Sequence, residues 1–224
     1  MKEEWLIYSS LVVALIIMRI PYIGRVVRVL NTMVHESGHA LAALLTSGQV
    51  TKVELFADLS GTTHTVNSGK LASVVVGLAG YLFASGFAWV SALLVANGLE
   101  RWLVVVLLAL ALMNLVLYVR NMYGMVWLVL FVFACGFLLS KGDRLWQQVT
   151  AVVFLVVMLS DSAMSAIELL LMSFKTPKKA GDASMLAKAT GIPAQVFAVV
   201  FAGAALWIGF DAVVRFFPPL NRLF

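Results

Sequence analysis

Charge is scarce in this sequence. Only 12% of its 224 residues are Asp, Glu, Lys or Arg, whereas 62% are hydrophobic, and the mean hydropathy is +0.99. A chain with so little polar surface cannot cover a water-soluble globule of this size. The composition therefore predicts an integral, multi-pass membrane protein in contact with the lipid bilayer.

Cysteine is nearly absent too. The single residue, Cys135, excludes a disulfide within the chain, and its apolar surroundings predict that it packs as a small hydrophobe.

The net charge of +5 comes from basic residues spread over short connections, without a basic face, so we expect no nucleic-acid partner. No cleavable signal pattern is evident at the amino terminus, and we expect the first apolar segment to remain as an anchor. Oligomeric state and membrane orientation stay open.

Long apolar runs divide the chain into about seven segments, several of them close to the roughly 20 residues that cross hydrocarbon. We therefore expect an all-α polytopic membrane protein with about six to seven transmembrane helices, in a single membrane-embedded domain over residues 1–224. The segments lie near residues 5–20, 26–47, 71–97, 102–119, 122–140, 146–173 and 193–217.

One short stretch differs from this helical pattern. Val50 to Phe56 alternates polar and apolar residues, Ala57 to Gly61 has turn composition, and Thr62 to Val66 is rich in β-branched residues. The pattern predicts a β-hairpin directly after the second segment. Near Lys175 to Gly191, a polar link is expected to separate the last two segments.

The second segment contains His35, Glu36 and His39, which form an H-E-x-x-H motif. In a helix the two histidines share one face, so both imidazoles can bind one metal ion. An ionisable group inside a hydrophobic helix costs roughly 2.5 to 3.5 kcal/mol, and binding a metal satisfies all three side chains. The motif predicts zinc bound by His35 and His39, with Glu36 activating the water that the zinc holds.

A catalytic zinc usually has three protein ligands, so a third must lie elsewhere in the chain. We favour Asp161, because it lies deep within a hydrophobic helix where an unpaired aspartate is costly. Glu168 lies about two turns further on the same face, as a ligand or as a partner of Asp161. His64 is the other alternative. The full set of candidates is His64, Asp58, Asp143, Asp161, Glu168, Asp182 and Asp211.

The hairpin and two amides are candidate substrate-binding elements. An exposed strand edge that includes Val53 and Leu55, with His64 opposite, can pair with an unwound substrate; alternatively, the hairpin only packs against the site. Asn114 and Asn121 can hold the scissile carbonyl or the oxyanion, although hydrogen bonding between helices is the commoner use of such amides.

At this point the chain resembles a known family, the site-2 proteases, which are intramembrane zinc metalloproteases, and in particular a small, divergent bacterial branch. The resemblance rests on the H-E-S-G-H-A run from His35 to Ala40, on the hairpin and on Asp161. It implies zinc held by two histidines and an aspartate, transmembrane segments as substrates, and a bacterial cell membrane. The family's second motif has Asn and Pro before the aspartate and Gly after it, whereas Asp161 stands in L-S-D-S. Shorter similarities are G-Y-L at 80–82, R-N-x-x-G at 120–124, G-D-A at 181–183 and G-I-P-A at 191–194.

Two other functions remain open on the sequence. The altered surroundings of Asp161 fit a non-proteolytic, zinc-binding descendant that binds membrane partners. Intramembrane His and Asp residues also occur in metal or solute transporters. Cleavage, zinc content and metal flux separate the three possibilities.

Overall fold

The protein, in a computed structural model that describes residues 2–217, is built almost entirely from helices, with one two-stranded hairpin. The elements in chain order are α1 (Lys2–Arg19), α2 (Ile23–Leu45), β1 (Gln49–Leu55), β2 (Gly61–Val66), α3 (Lys70–Ala96), α4 (Glu100–Met113), α5 (Met122–Lys141), α6 (Arg144–Lys175), α7 (Gly181–Thr190) and α8 (Ala194–Phe216). A π-helical turn, Asn114–Tyr118, extends α4, and a 3-10 turn, Pro177–Lys179, precedes α7.

Five helical segments are long and apolar enough to cross a membrane: α3, α4 with its π-helical extension, α5, α6 and α8. The first two helices, α1 and α2, pass the same test only together and are bent by 105° at the break between them. The described chain therefore has five or six candidate spans. This confirms the predicted all-α, multi-pass membrane fold with a short hairpin after the second helix.

The bend between α1 and α2 has a local cause. Pro21 has no backbone N–H to donate to the helix, and Tyr22 adopts a positive φ of 67°. A Cβ at Gly24 would collide with the Met18 carbonyl, so only glycine allows α2 to begin so close to the end of α1. Two of the seven predicted segments thus form one bent pair.

The helix α2 is buried by its neighbours. Val29, Leu30 and Met33 are at most 1% exposed and belong to one apolar cluster with Leu107 of α4 and Met158 of α6. Burial of such side chains contributes roughly 1.5 to 3 kcal/mol each in water, and here the same packing fixes the rotation of α2. The polar face of α2 is consequently directed toward α3, α6 and the hairpin.

The predicted hairpin is present, with β1 and β2 antiparallel and Glu54 opposite Thr62. Its outer β1 edge is not free, however. Val53 forms a parallel bridge with Val119, and the Asn121 amide bonds both the N–H and the carbonyl of Leu55, at 3.0 and 2.5 Å. Val53 and Leu55 are both 0% exposed. The expectation that this edge pairs with substrate is therefore wrong for β1, because the link before α5 already covers it.

The predicted polar link between the last two segments is mostly helical. Ala180, Ala183 and Leu186, spaced three apart, are at most 1% exposed and cluster with Phe201 of α8. Gly191, in the left-handed conformation with φ 82°, ends the helix. The link is thus a short amphipathic helix, α7, that packs back onto the bundle.

Candidate metal centre

Two histidines of α2 and one aspartate of α7 bring three ligand atoms together. His35 and His39 lie one turn apart, and their Nε2 atoms are 3.1 Å from each other. Asp182 Oδ2 lies 3.2 Å from each of these nitrogens. The three atoms form a nearly equilateral triangle, and this group is the one candidate metal cluster among the described residues.

The size of the triangle fits zinc. With metal–ligand distances of about 2.0 to 2.1 Å, two corners of a tetrahedron are about 3.3 Å apart. Asp182 Oδ2 is buried and has no hydrogen-bond partner in the part of the chain that the structure describes, even though both imidazoles are near. A metal ion would supply the partner that this oxygen lacks. Two imidazoles and a carboxylate are also a donor set that zinc commonly takes.

A backbone contact fixes the orientation of one imidazole. His39 Nδ1 lies 2.7 Å from the Val76 carbonyl of α3. Because a carbonyl only accepts hydrogen bonds, Nδ1 is the donor, and Nε2 carries the lone pair that a metal needs. Such a partner behind a ligating histidine holds the ring in the binding orientation.

Glycine at position 80 makes room for both rings. A Cβ built there would lie 2.5 Å from His39 Nε2 and 2.6 Å from His35 Nε2. Real Cβ atoms do not approach other atoms so closely, so any other residue at this position would displace the imidazoles. The sequence marks Gly80 only as part of the G-Y-L similarity at 80–82.

Burial raises the pKa of the Asp182 carboxyl, but the positive charge that His39 and His35 carry when they are protonated outweighs burial, and the pKa lies below its usual range. A bound cation would act on the carboxyl in the same direction, which favours the ionised form that a metal ligand needs.

Glu36 lies beside the triangle without belonging to it. Its side chain is 4% exposed, and Thr63 of β2 donates a hydrogen bond to Oε2 over 2.6 Å. A Cβ at Gly61 would collide with the Glu36 carboxylate, so the start of β2 has to be glycine. The hairpin therefore positions the glutamate, a role that sequence reasoning did not assign to Thr63 or Gly61.

His35, Asp182 and Glu36 line a cavity of about 430 Å³ between α2, α6, α7 and the hairpin turn. Hydrogen bonds from the Ser60 hydroxyl and backbone keep the pKa of Asp58, on the cavity wall, below its usual range. The wall also includes Arg28, Asn31, Thr32, His35, Glu36, Leu59, Ser60, Gly61, Tyr81, Asp161, Ser165, Glu168, Lys179 and Asp182.

Asp161, the predicted third ligand, lines this cavity but is not part of the triangle. Its carboxylate forms an ion pair with Arg28 of α2 and is 4% exposed. The sequence argument for Asp161 is the cost of burying an unpaired aspartate, and in the structure Arg28 supplies the partner. The structure brings Asp182 to the histidines instead, and Glu168 likewise lines the cavity without joining the cluster.

The remaining predicted site residues lie elsewhere. His64 is exposed on the hairpin and pairs with Glu54 Oε2 at 3.0 Å, so it is not near the triangle. Asn114 is 1% exposed and donates to Ser37 Oγ and the Leu110 carbonyl, both at 2.9 Å. Neither Asn114 nor Asn121 lines the cavity. Asn114 instead ties the π-helical turn to α2, which is the alternative use of such amides.

A family model described as Peptidase M50B-like matches residues 8–210, which is most of the chain. The chain matches none of the curated proteins and none of the solved structures with which it was compared. The matched range includes the H-E-x-x-H helix, the hairpin and α7 with Asp182. The chain therefore belongs to the Peptidase M50B-like family, within the site-2 protease family of intramembrane metallopeptidases.

Proposed function

We propose that this protein is an intramembrane zinc endopeptidase that hydrolyses peptide bonds in or near transmembrane segments of other membrane proteins. His35, His39 and Asp182 hold the metal, and Glu36 is the general base. The observation that carries the proposal is the triangle of ligand atoms with a carboxylate beside it, on the wall of a polar cavity enclosed by apolar helices.

The two chemical roles are divided between the metal and the chain. Bound zinc lowers the pKa of water to about 7 and polarises a carbonyl. Glu36 takes the proton from the attacking water and passes it to the leaving nitrogen, so that one carboxylate acts first as base and then as acid. The Thr63 hydrogen bond holds Oε2, and the missing side chain at Gly61 leaves room beside Oε1.

The substrate has to reach this cavity in an extended form. In a transmembrane helix the scissile carbonyl is bonded to the amide four residues later and shielded by side chains. The hairpin turn, including Leu59 and Ser60, forms part of the cavity wall. Polar groups there can replace hydrogen bonds that an unwinding substrate loses. We therefore propose a single-pass membrane protein as the partner, unwound next to the hairpin turn.

The decisive experiment compares the parent with Glu36→Gln in proteoliposomes. The probe is a set of synthetic peptides with about 20 apolar residues and a central Gly-Pro that weakens the helix. Mass spectrometry identifies the products, and elemental analysis gives zinc per protein. We expect cleavage by the parent, a loss of at least about 100-fold in Glu36→Gln, and equal zinc in both.

Other outcomes would overturn the proposal. Equal cleavage by Glu36→Gln would remove the glutamate from the mechanism. A parent that holds one zinc and cleaves none of the peptides would fit the non-proteolytic reading. Zinc flux into vesicles that is lost in Asp182→Ala would fit a transporter.

A further inference from the structure

Tyr81 of α3 follows directly after the glycine that makes room for the histidines. Its ring meets the His35 imidazole edge to face, with centroids 4.6 Å apart and an interplanar angle of 83°. On its other side it stacks on Phe201 of α8, at 4.9 Å and 24°. These two contacts fix the ring between a metal-site residue and the α7–α8 cluster.

The hydroxyl of Tyr81 is not used by the fold. Over residues 2–217 no hydrogen bond to it is found, and it is not among the buried polar atoms sealed from solvent. Buried tyrosines usually find a partner for the O–H. Tyr81 lines the same cavity as Glu36 and Asp182, and both carboxylates act electrostatically on its hydroxyl. A hydroxyl without a partner beside these groups is available to a bound substrate.

We propose that Tyr81 is a further catalytic residue, whose O–H donates a hydrogen bond to the oxyanion that forms on the scissile carbonyl. This inference rests on the proposed peptidase function. It gives the cavity a neutral donor, which the triangle and Glu36 lack, since the ligand atoms and the base only accept.

The chemistry balances without any further reactant. The water oxygen bonds to the carbonyl carbon, the carbonyl π pair moves to oxygen, and the released proton goes to Glu36. Tyr81 keeps its proton throughout and only shortens its hydrogen bond as negative charge grows on that oxygen. When the C–N bond breaks, the electron pair leaves with nitrogen, which takes the proton from Glu36. A donor placed in advance stabilises the charge that develops in this step.

The preorganisation is visible in the sequence G-Y at 80–81. Glycine lets the imidazoles approach α3, and the next side chain, Tyr81, contacts the His35 ring and lines the cavity. Phe201 keeps the ring from turning away. A donor on a rigid helix loses little freedom when it bonds the transition state, which is the condition for a large catalytic effect.

The test compares Tyr81→Phe with Tyr123→Phe, a control outside the cavity wall. Both variants keep the aromatic ring. For Tyr81→Phe we expect a fall of about 100-fold in kcat, KM within about twofold, and unchanged zinc content, since loss of one oxyanion donor has an effect of this size. The control should match the parent in all three quantities.

A second measurement separates catalysis from a structural role. A peptide phosphinate, whose tetrahedral P–O⁻ stands in for the oxyanion, is compared with the uncleaved peptide measured in a Glu36→Gln background. Tyr81→Phe should weaken phosphinate binding by about the same factor as kcat and leave binding of the uncleaved peptide unchanged. If Tyr81→Phe weakens binding of both ligands equally, or leaves kcat unchanged, the catalytic role of Tyr81 is wrong, but the proposed peptidase function is unaffected. A zinc-loaded parent that never cleaves overturns both.

Discussion

Asp182 Oδ2 lies 3.2 Å from Nε2 of His39, although the two residues belong to different kinds of helix. His39 is on α2, deep in the bundle, whereas Asp182 is on the short amphipathic α7, which is not among the candidate spans. The packing of Leu186 and Ala183 against α8 keeps α7 in place. Completion of the proposed metal site therefore depends on docking of α7, and the proposed third ligand can be tested separately from the helix that carries the motif.

Asp182→Asn should lose zinc, whereas Asp161→Asn should keep it. An amide oxygen is a far weaker zinc ligand than a carboxylate. Loss of a residue that only hydrogen-bonds to a ligand already lowers metal affinity by about 10- to 100-fold, so we expect zinc affinity to fall by more than about 100-fold in Asp182→Asn. The measurement is zinc per folded protein, by elemental analysis after gel filtration and by titration with a zinc-selective chelator.

Asp161→Asn is the matched control, because Asp161 is also shielded from solvent, at 4% side-chain exposure against 15% for Asp182, and lines the same cavity. Loss of zinc in Asp161→Asn, with zinc retained in Asp182→Asn, would return the third-ligand role to Asp161. Loss in both, from protein that remains folded, would contradict the division of roles between these aspartates.

Gly80→Ala should empty the metal site, and Gly86→Ala on the same helix should not. A Cβ at position 80 would overlap both imidazoles, whereas nothing lies within 4 Å of one at position 86. Alanine is the better helix former by roughly 0.5 to 1 kcal/mol, so Gly86→Ala should be as stable as the parent or slightly more so. Zinc content and thermal unfolding in detergent report the two effects separately. Full zinc in Gly80→Ala would show that the rings have another way to approach the metal.

Local patterns were sufficient to predict the motif helix and the hairpin. Four-residue spacing places His35 and His39 on one face of any helix, and alternation followed by turn residues predicts paired strands wherever they occur. Both predictions depend on nearest neighbours in the chain, and both are confirmed in the structure.

The identity of the third partner is a tertiary property and did not follow from such patterns. Asp161 and Asp182 are both shielded from solvent, and each carboxylate therefore needs a partner. The sequence does not show that Arg28 lies beside Asp161 and supplies its partner without a metal. A signal for α7 did exist, because Ala180, Ala183 and Leu186 recur every third residue in the supposed link. The Lys, Pro and Gly content of the same stretch is typical of loops, and it predicts a polar link where the apolar spacing indicates a helix.

Thr63→Val should reduce turnover without affecting zinc. The hydroxyl of Thr63 donates to Glu36 Oε2 over 2.6 Å, whereas Thr62, the preceding residue, is exposed and faces the other side of the strand. Valine keeps the β-branched shape that a strand favours, so the change removes little besides the hydrogen bond. We expect kcat to fall by about 10-fold or more, since a hydrogen bond to a charged group contributes about 1.5 to 3 kcal/mol.

Thr62→Val is the control for this change and should retain the turnover of the parent. Thr63→Ser, which restores the hydroxyl, should recover most of the activity. If Thr63→Val turns over normally, the hairpin does not position the glutamate, and β2 would serve only as packing.

The Arg28–Asp161 pair predicts a non-additive effect on stability. Removing one partner of a buried pair leaves an uncompensated charge and typically costs about 3 to 5 kcal/mol, whereas replacing both with apolar residues is often neutral. Arg28 retains 17% side-chain exposure toward the cavity, so we expect Arg28→Met or Asp161→Leu alone to lower the free energy of unfolding by about 3 kcal/mol.

The double variant should be at least as stable as either single one, and all three should bind zinc. Unfolding by denaturant in detergent gives the free energy of unfolding of each variant. The loss in the double variant is then compared with the sum of the two single losses, and the difference measures the coupling. Additive losses in the double variant would mean that each residue stabilises the helices independently, and Asp161 would then need another reason to be buried beside a metal centre that it does not join.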